Sequence, residues 1–153
     1  ECPLRMVVAQ KDIVCTPYRV KTNDPKVVRY TTTVPDNDNV KVLPGGLVEL
    51  TRGPSGMMLI HRRVFETLQK NRPDLEIQAH QHVDLFPEGF KIFSFWDCVF
   101  KDGKWTGDDI AFCNLATENG FKLYANIESE MVHHGGYGYK GRFGDGLISK
   151  NEK

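Results

Sequence analysis

Two adjacent carboxylates, Asp108 and Asp109, stand in the run Trp105-Thr106-Gly107-Asp108-Asp109-Ile110-Ala111-Phe112-Cys113, and two imidazoles follow in Val132-His133-His134-Gly135. A carboxylate at the mouth of a sheet can take the proton from a hydroxyl as that hydroxyl attacks. An acid in a helix's first turn also caps the helix and complements its dipole. The pair can divide these tasks, one acid capping and the other facing a cleft. His133 and His134 alternate across a strand, so only one of them faces a given site. With the acids, an imidazole suits a partly oxygen site for Mg2+ or Mn2+. A lone histidine at a strand end is more often plain polar surface.

Three further groups carry weaker signals. Phe93-Ser94-Phe95-Trp96-Asp97 places a flat amphipathic ring beside an acid, a natural platform for a sugar face, although core packing is the default for Phe93 and Phe95. Gly135-Gly136-Tyr137-Gly138-Tyr139-Lys140-Gly141-Arg142 combines aromatics, two cations and mobility. It reads as a frayed terminus or as a lid whose Tyr137, Lys140 and Arg142 order over a diphosphate. His80, His82 and Asp84 read as a solvated loop.

These groups must be held by a small number of elements. Ile13-Val14-Cys15-Thr16 reads as an inner strand ended by Pro17-Tyr18. Lys26 to Val34 reads as a second strand, Val40 to Leu43 as its hairpin return and Leu47 to Thr51 as another. Gly53-Pro54-Ser55-Gly56 is a turn, Met57 to Ile60 an apolar run, and Val64, Phe65 and Leu68 have helical spacing that stops before Pro73. Leu75 to Pro87 reads as a loop. Phe90 to Phe100 alternates if extended. Lys101-Asp102-Gly103-Lys104 is a turn. Thr106 is placed to cap a helix with Asp109 as its box partner, and Asn119-Gly120 to end that helix. Phe121 to Asn126 and Met131 to His133 read as strands. Residues 135–153 read as a loose glycine-rich tail.

The chain has 153 residues, no net charge, 40% hydrophobic and 26% charged residues. That suits one soluble domain with a real core and gives no electrostatic reason to expect nucleic acid or an anionic membrane. No apolar run is long enough to span a bilayer. Glu1-Cys2-Pro3-Leu4-Arg5 lacks the basic start and apolar core of a secretory leader, and the chain does not open on Met; a processed chain or a piece of a larger domain is expected. Cys2, Cys15, Cys98 and Cys113 form no Cys-x-x-Cys pair, and three of them lie in apolar runs, which reads as buried free thiols in a reducing cytosol, with a disulfide as the alternative that an even count leaves open.

From about Ala9 to Gly141 the chain resembles the C-terminal, acceptor-side half of a type-A-fold nucleotide-sugar glycosyltransferase. The similarity is to short viral or bacterial members of the large inverting family. Asp12-Ile13-Val14-Cys15-Thr16-Pro17-Tyr18 is similar to the strand after the family's Asp-x-Asp turn. Ser55-Gly56-Met57-Met58-Leu59-Ile60-His61-Arg62-Arg63-Val64-Phe65 is similar to its glycine, apolar strand, Arg-Arg, helix segment. Gly107-Asp108-Asp109-Ile110-Ala111-Phe112-Cys113 is similar to its Gly-Glu-Asp-x-x-Phe-Cys block, and His133-His134-Gly135 to its His-x-Gly ending. The resemblance implies an α/β chain with a mixed sheet and few helices, a single domain over 1–153 forming part of a catalytic domain. It implies Asp109 as catalytic base, with Asp108 where the family has Glu. His133 would bind Mn2+ or Mg2+ or the diphosphate, with His134 as the alternative, and Gly56, Trp96 and Asp97 would line the acceptor side. The implied partners are a nucleoside-diphosphate sugar and a glycan or other hydroxyl acceptor, with self-association where a donor-binding half would dock. No Asp-x-Asp turn precedes Asp12. Two other readings are a glycosyltransferase-like module that binds glycan or protein without turnover, and a metal-dependent hydrolase using His80, His82, Asp108 and His133.

Overall fold

The computed structural model describes residues 2–24, 26–77 and 86–148; His80, His82 and Asp84 lie outside them. Within these bounds the chain is a mixed α/β structure built on one five-stranded sheet. Its strands are β1 (Ile13–Cys15), β2 (Val42–Leu43), β3 (Leu47–Leu50), β4 (Met58–Ile60) and β7 (Leu123–Asn126), in the order β2-β3-β7-β1-β4. The pairing of β1 with β7 is parallel, and the other three pairings are antiparallel.

All three residues of β1 are fully buried, as a central strand covered on both faces requires. Ile13 and Cys15 join the larger core with Val64, Leu68, Phe112, Cys113 and Ala116. Those residues come from helices α2 (Arg62–Asn71) and α3 (Asp108–Glu118), which therefore cover one face. Val14 points the other way, to Met6 and Leu47, under α1 (Cys2–Val8). The outer face of α1 leaves Leu4, Val7 and Val8 exposed.

Local chemistry sets the helix ends. His61 accepts a hydrogen bond from the Arg63 amide through Nδ1 at 3.1 Å, capping α2. Gly120 follows α3 in the left-handed region, where a side chain would be strained. Between the helices, β5 (Val99–Lys101) and β6 (Lys104–Thr106) form a hairpin closed by Asp102 and Gly103. Both turn residues have positive φ, the geometry that matches strand twist in a two-residue loop. Beyond the sheet, β8 (Met131–His134) and β9 (Gly138–Gly141) form a second ribbon, followed by the short helix α4 (Phe143–Ile148).

Several expected elements differ. Phe90 to Val99 is mostly irregular. Phe95 and Trp96, which a strand would send to opposite faces, both meet Phe65, at 5.6 and 6.0 Å between ring centres. Before β5, an isolated bridge between Phe93 and Glu76 is the extent of its pairing among the described residues, and aromatic packing follows it. Residues 26–34 contribute only isolated bridges, Tyr30 with Arg19 and Thr33 with Arg52. Thr106 is the last residue of β6, and Gly107 takes the N-cap position of α3 without a side-chain cap. Among the described residues of the glycine-rich segment, 135–148, two aromatic anchors hold the chain. Tyr139 is buried and donates to the Thr22 carbonyl at 2.6 Å, and Phe143 meets Tyr30 edge-on at 5.3 Å. Cys98 is exposed, whereas Cys15 and Cys113 are buried free thiols.

Candidate functional site

The cluster at the carboxyl end of β1 starts with Asp109. Gly107 opens α3, so the two acids occupy its first turn and divide there. The Asp108 Oδ1 atom accepts from the Asp109 amide at 2.9 Å, serving one of the helix's unpaired donors. The Asp109 Oδ1 atom accepts from the Ser55 hydroxyl. Ser55 comes from the turn that leads into β4, whose Met58 is opposite Cys15 at the end of β1. One carboxylate oxygen is thereby fixed, and Oδ2 retains its lone pairs for a further donor.

Past Pro17, the β1 strand delivers Tyr18 to the same place. The Asp109 charge and burial both hold the Tyr18 phenol above its ordinary range, burial contributing more. Its hydroxyl lies against the Gly56 backbone. A Cβ at Gly56 would sit 2.9 Å from both Cε1 and Oη of Tyr18, so the approach depends on glycine. The Tyr18 ring also meets His133 edge-on, at 4.6 Å between centres. The phenol thus feels the Asp109 charge and contacts the His133 ring.

His133 has a defined tautomer. Its Nδ1 is 2.8 Å from the Arg19 carbonyl, which can only accept, so Nδ1 carries the proton and Nε2 keeps its lone pair when the ring is neutral. That is the arrangement a metal- or phosphate-facing histidine needs. The β8–β9 ribbon that carries it is tied to residues 19–30. The Arg19 guanidinium donates to the Lys140 carbonyl at 3.3 Å and the Tyr30 hydroxyl to the Arg142 carbonyl at 2.5 Å. Among the described residues no group of three His, Cys, Asp or Glu side chains is placed to hold a metal ion. His133 offers one donor, and one imidazole does not make a Mn2+ site.

The acids open on a cleft of about 290 Å³ lined by Thr31, Thr32, Thr33, Arg52, Gly107 and Asp109, among others. Beneath it lie Cys15 and Cys113, close to Gly53. Gly53 and Cys113 Sγ approach through both the amide and the carbonyl, at 3.4 Å each. Burial, above all, raises both thiols above the usual range, and the Asp109 charge adds to the shift.

The other residues singled out by sequence do not join this cluster in the same way. Trp96 stacks on Phe112 at 4.1 Å, nearly parallel, which commits one ring face to the core. Its Nε1 is buried with no acceptor among the described residues. Asp97 is exposed and accepts from Ser94. Tyr137 is exposed and packs edge-on against Tyr139. Lys140 lies opposite Val132, on the face of the ribbon away from His133 and Tyr139, and pairs with Glu130 at 3.1 Å. Arg142 lines a different cavity, of about 900 Å³, with Arg5, Glu128 and Asp145. His134 is exposed opposite Gly138. Sequence reasoning missed the roles of Tyr18 and Ser55. The usable signal was position, because polar side chains just beyond the carboxyl end of an inner strand face the crevice of an open α/β sheet.

No family model matches the chain, and neither a curated protein nor a solved structure does.

Proposed function

We propose that this chain supplies the acceptor side of a nucleotide-sugar glycosyltransferase, with Asp109 as the base. The observation that carries the reading is the Ser55–Asp109–Tyr18–His133 cluster. A carboxylate on a helix start is held by a hydroxyl on one oxygen and lines a cleft, and its charge reaches a phenol that contacts a histidine whose Nδ1 carries the proton. The sequence resemblance assigns the same two residues, Asp109 and His133, to one site.

In this reading the acceptor hydroxyl donates to Asp109 Oδ2. As the acceptor oxygen bonds to the anomeric carbon, its proton passes to Asp109. The bond from that carbon to the diphosphate oxygen breaks, and the electron pair leaves with the diphosphate. Attack opposite the leaving group inverts the sugar centre. Ser55 holds the carboxylate in the orientation needed for proton transfer. A bound Mn2+ or Mg2+ would offset the charge of the leaving diphosphate, with His133 Nε2 as one donor. The described residues do not complete its ligand set, so no step is assigned to it.

The test is transfer from a panel of nucleoside-diphosphate sugars, measured in the protein as its gene encodes it. Asp109→Asn is expected to lower turnover by about 10²- to 10⁴-fold while nucleotide affinity is kept. Near-normal turnover in that variant would reduce Asp109 to a helix-end residue and refute the reading.

A further inference from the structure

The two most exposed aromatic side chains among the described residues are Phe100, 74% exposed, and Trp105, 69% exposed. They are not scattered. Phe100 and Trp105 are direct cross-strand partners in the β5–β6 hairpin, so they share one face. The two-residue Asp102-Gly103 turn fixes that register. Trp105 also has a defined position relative to the cleft. Its Cη2 and Cζ3 atoms lie 3.3 and 3.6 Å from where a Cβ at Gly107 would sit. Gly107 lines the cleft and immediately precedes the two acids. The indole therefore lies against Gly107, a residue of the cleft that Asp109 also lines.

The geometry points to an acceptor subsite: the Phe100–Trp105 face stacks a pyranose ring of a neutral oligosaccharide and presents its hydroxyl to Asp109. This deepens the proposed function and rests on it only for the final transfer step. The chemistry of the face selects the ligand. An aromatic face carries partial negative charge, and the axial C–H groups on one face of a pyranose carry partial positive charge, so the two stack. The sugar's edge hydroxyls then meet the cleft, where Arg52 and Asp109 line the wall beside Thr31, Thr32 and Thr33. The hairpin's two lysines, Lys101 and Lys104, pair on the face opposite Phe100 and Trp105, whereas a nucleic-acid strand would need a cationic track beside the rings. An isolated apolar anchor would also serve a protein partner, but the Arg52 guanidinium and Asp109 carboxylate in the adjoining cleft serve a polyhydroxylated one.

The experiment follows the indole N–H signals by NMR during titration with chitotetraose, cellotetraose and maltotetraose, and separately with uridine diphosphate. The chain has two tryptophans, one in the core and one on the hairpin, so each signal reports a different place. The Trp105 signal is expected to move with at least one oligosaccharide while the Trp96 signal stays. Trp105→Ala and Phe100→Ala should each weaken that binding by roughly tenfold, and Trp105→Phe should retain most of it. Oligosaccharide binding that depends on Trp105, with no transfer from any donor, keeps the subsite and refutes the transferase reading. Transfer that is insensitive to both alanine variants refutes the subsite and keeps the transferase reading. No shift with any oligosaccharide overturns the subsite. So does a Trp105 shift with uridine diphosphate alone, or a self-association that the alanine variants abolish in place of glycan binding.

Discussion

Gly53→Ala tests the packing beneath the candidate base. The backbone at Gly53 does not lie in the left-handed region, so alanine carries no conformational strain there, and the effect is steric. The new Cβ would sit 2.5 Å from Cys15 Sγ and 3.2 Å from Leu50 Cδ1. Comfortable contact lies about 1 Å farther out than the first of these distances. Cys15 cannot retreat with its backbone, because β1 is paired on both sides, with β4 and β7, and the residue is fully buried. Overpacking of this kind costs about 1–3 kcal/mol, and the fixed strand places Gly53→Ala toward the upper end. A loss of about 3 kcal/mol lowers the melting temperature of a chain this size by roughly 6–12 °C. Calorimetry reads that shift directly. The compensating double variant Gly53→Ala with Cys15→Ala removes the clashing sulfur and should recover more than half of the loss, a coupling that a double-mutant cycle isolates. A single variant within about 0.5 kcal/mol of wild type, or a double variant whose losses simply add, would refute the argument.

Gly56→Ala places a Cβ against the movable end of the Tyr18 ring, so it should cost only about 1 kcal/mol yet displace the phenol from His133; unmoved His133 ring signals in an NMR spectrum would count against the shared contact. Asp108→Ala removes the acceptor for the Asp109 amide and should destabilise by about 1 kcal/mol with transfer little changed, the reverse of Asp109→Asn; equal transfer losses in both would show the acids acting as a unit. The Cys15 thiol is held above 9.0 by burial, so the unfolded chain ionises there first and the folded chain keeps its proton. Its stabilisation is complete below pH 9 and declines above it, by about 1.4 kcal/mol per pH unit. Urea midpoints should therefore fall across that alkaline range, and Cys15→Ala should flatten the slope. A slope unchanged in that variant would assign the alkaline loss to other groups.

The parts of the fold legible in the sequence were those where local chemistry and burial agree. Ile13-Val14-Cys15 is apolar throughout because it is covered on both faces. Val64 and Leu68 repeat at helical spacing because one stripe of α2 meets the core, and Asn119-Gly120 marks the end of α3 because only glycine relaxes there. The aromatic run misleads past Ser94 because the Phe95 and Trp96 rings are packed against Phe65 and Phe112, residues distant in sequence, and alternation cannot register a partner that is not a strand. Cys2 to Val8 shows no strong periodicity, since three of its apolar residues remain outside the core. At the site, Asp109 and His133 were legible as residue types in order. Tyr18 and Ser55 were not, because their roles come from a turn and a strand end brought together only by tertiary structure. Trp96 and Trp105 illustrate the same limit, since neighbouring sequence does not reveal which indole is spent on the core.

The position of β7 bears on how the protein comes to be folded. β7 lies between β3 and β1, pairing Leu123 with both Leu50 and Ile13, yet it is the last of the five strands to leave the ribosome. Until it arrives, β1 and β3 each present an open edge, and the apolar side chains of both have no third partner. Closing the sheet requires contacts across most of the chain, which makes for high contact order and slow completion. The nascent chain thus spends its synthesis with two adhesive edges separated by a gap one strand wide, the condition under which strands of other copies compete for the slot. Chaperone dependence and inclusion-body formation should therefore respond more sharply to substitutions in Leu123–Asn126 than their effect on final stability alone would suggest.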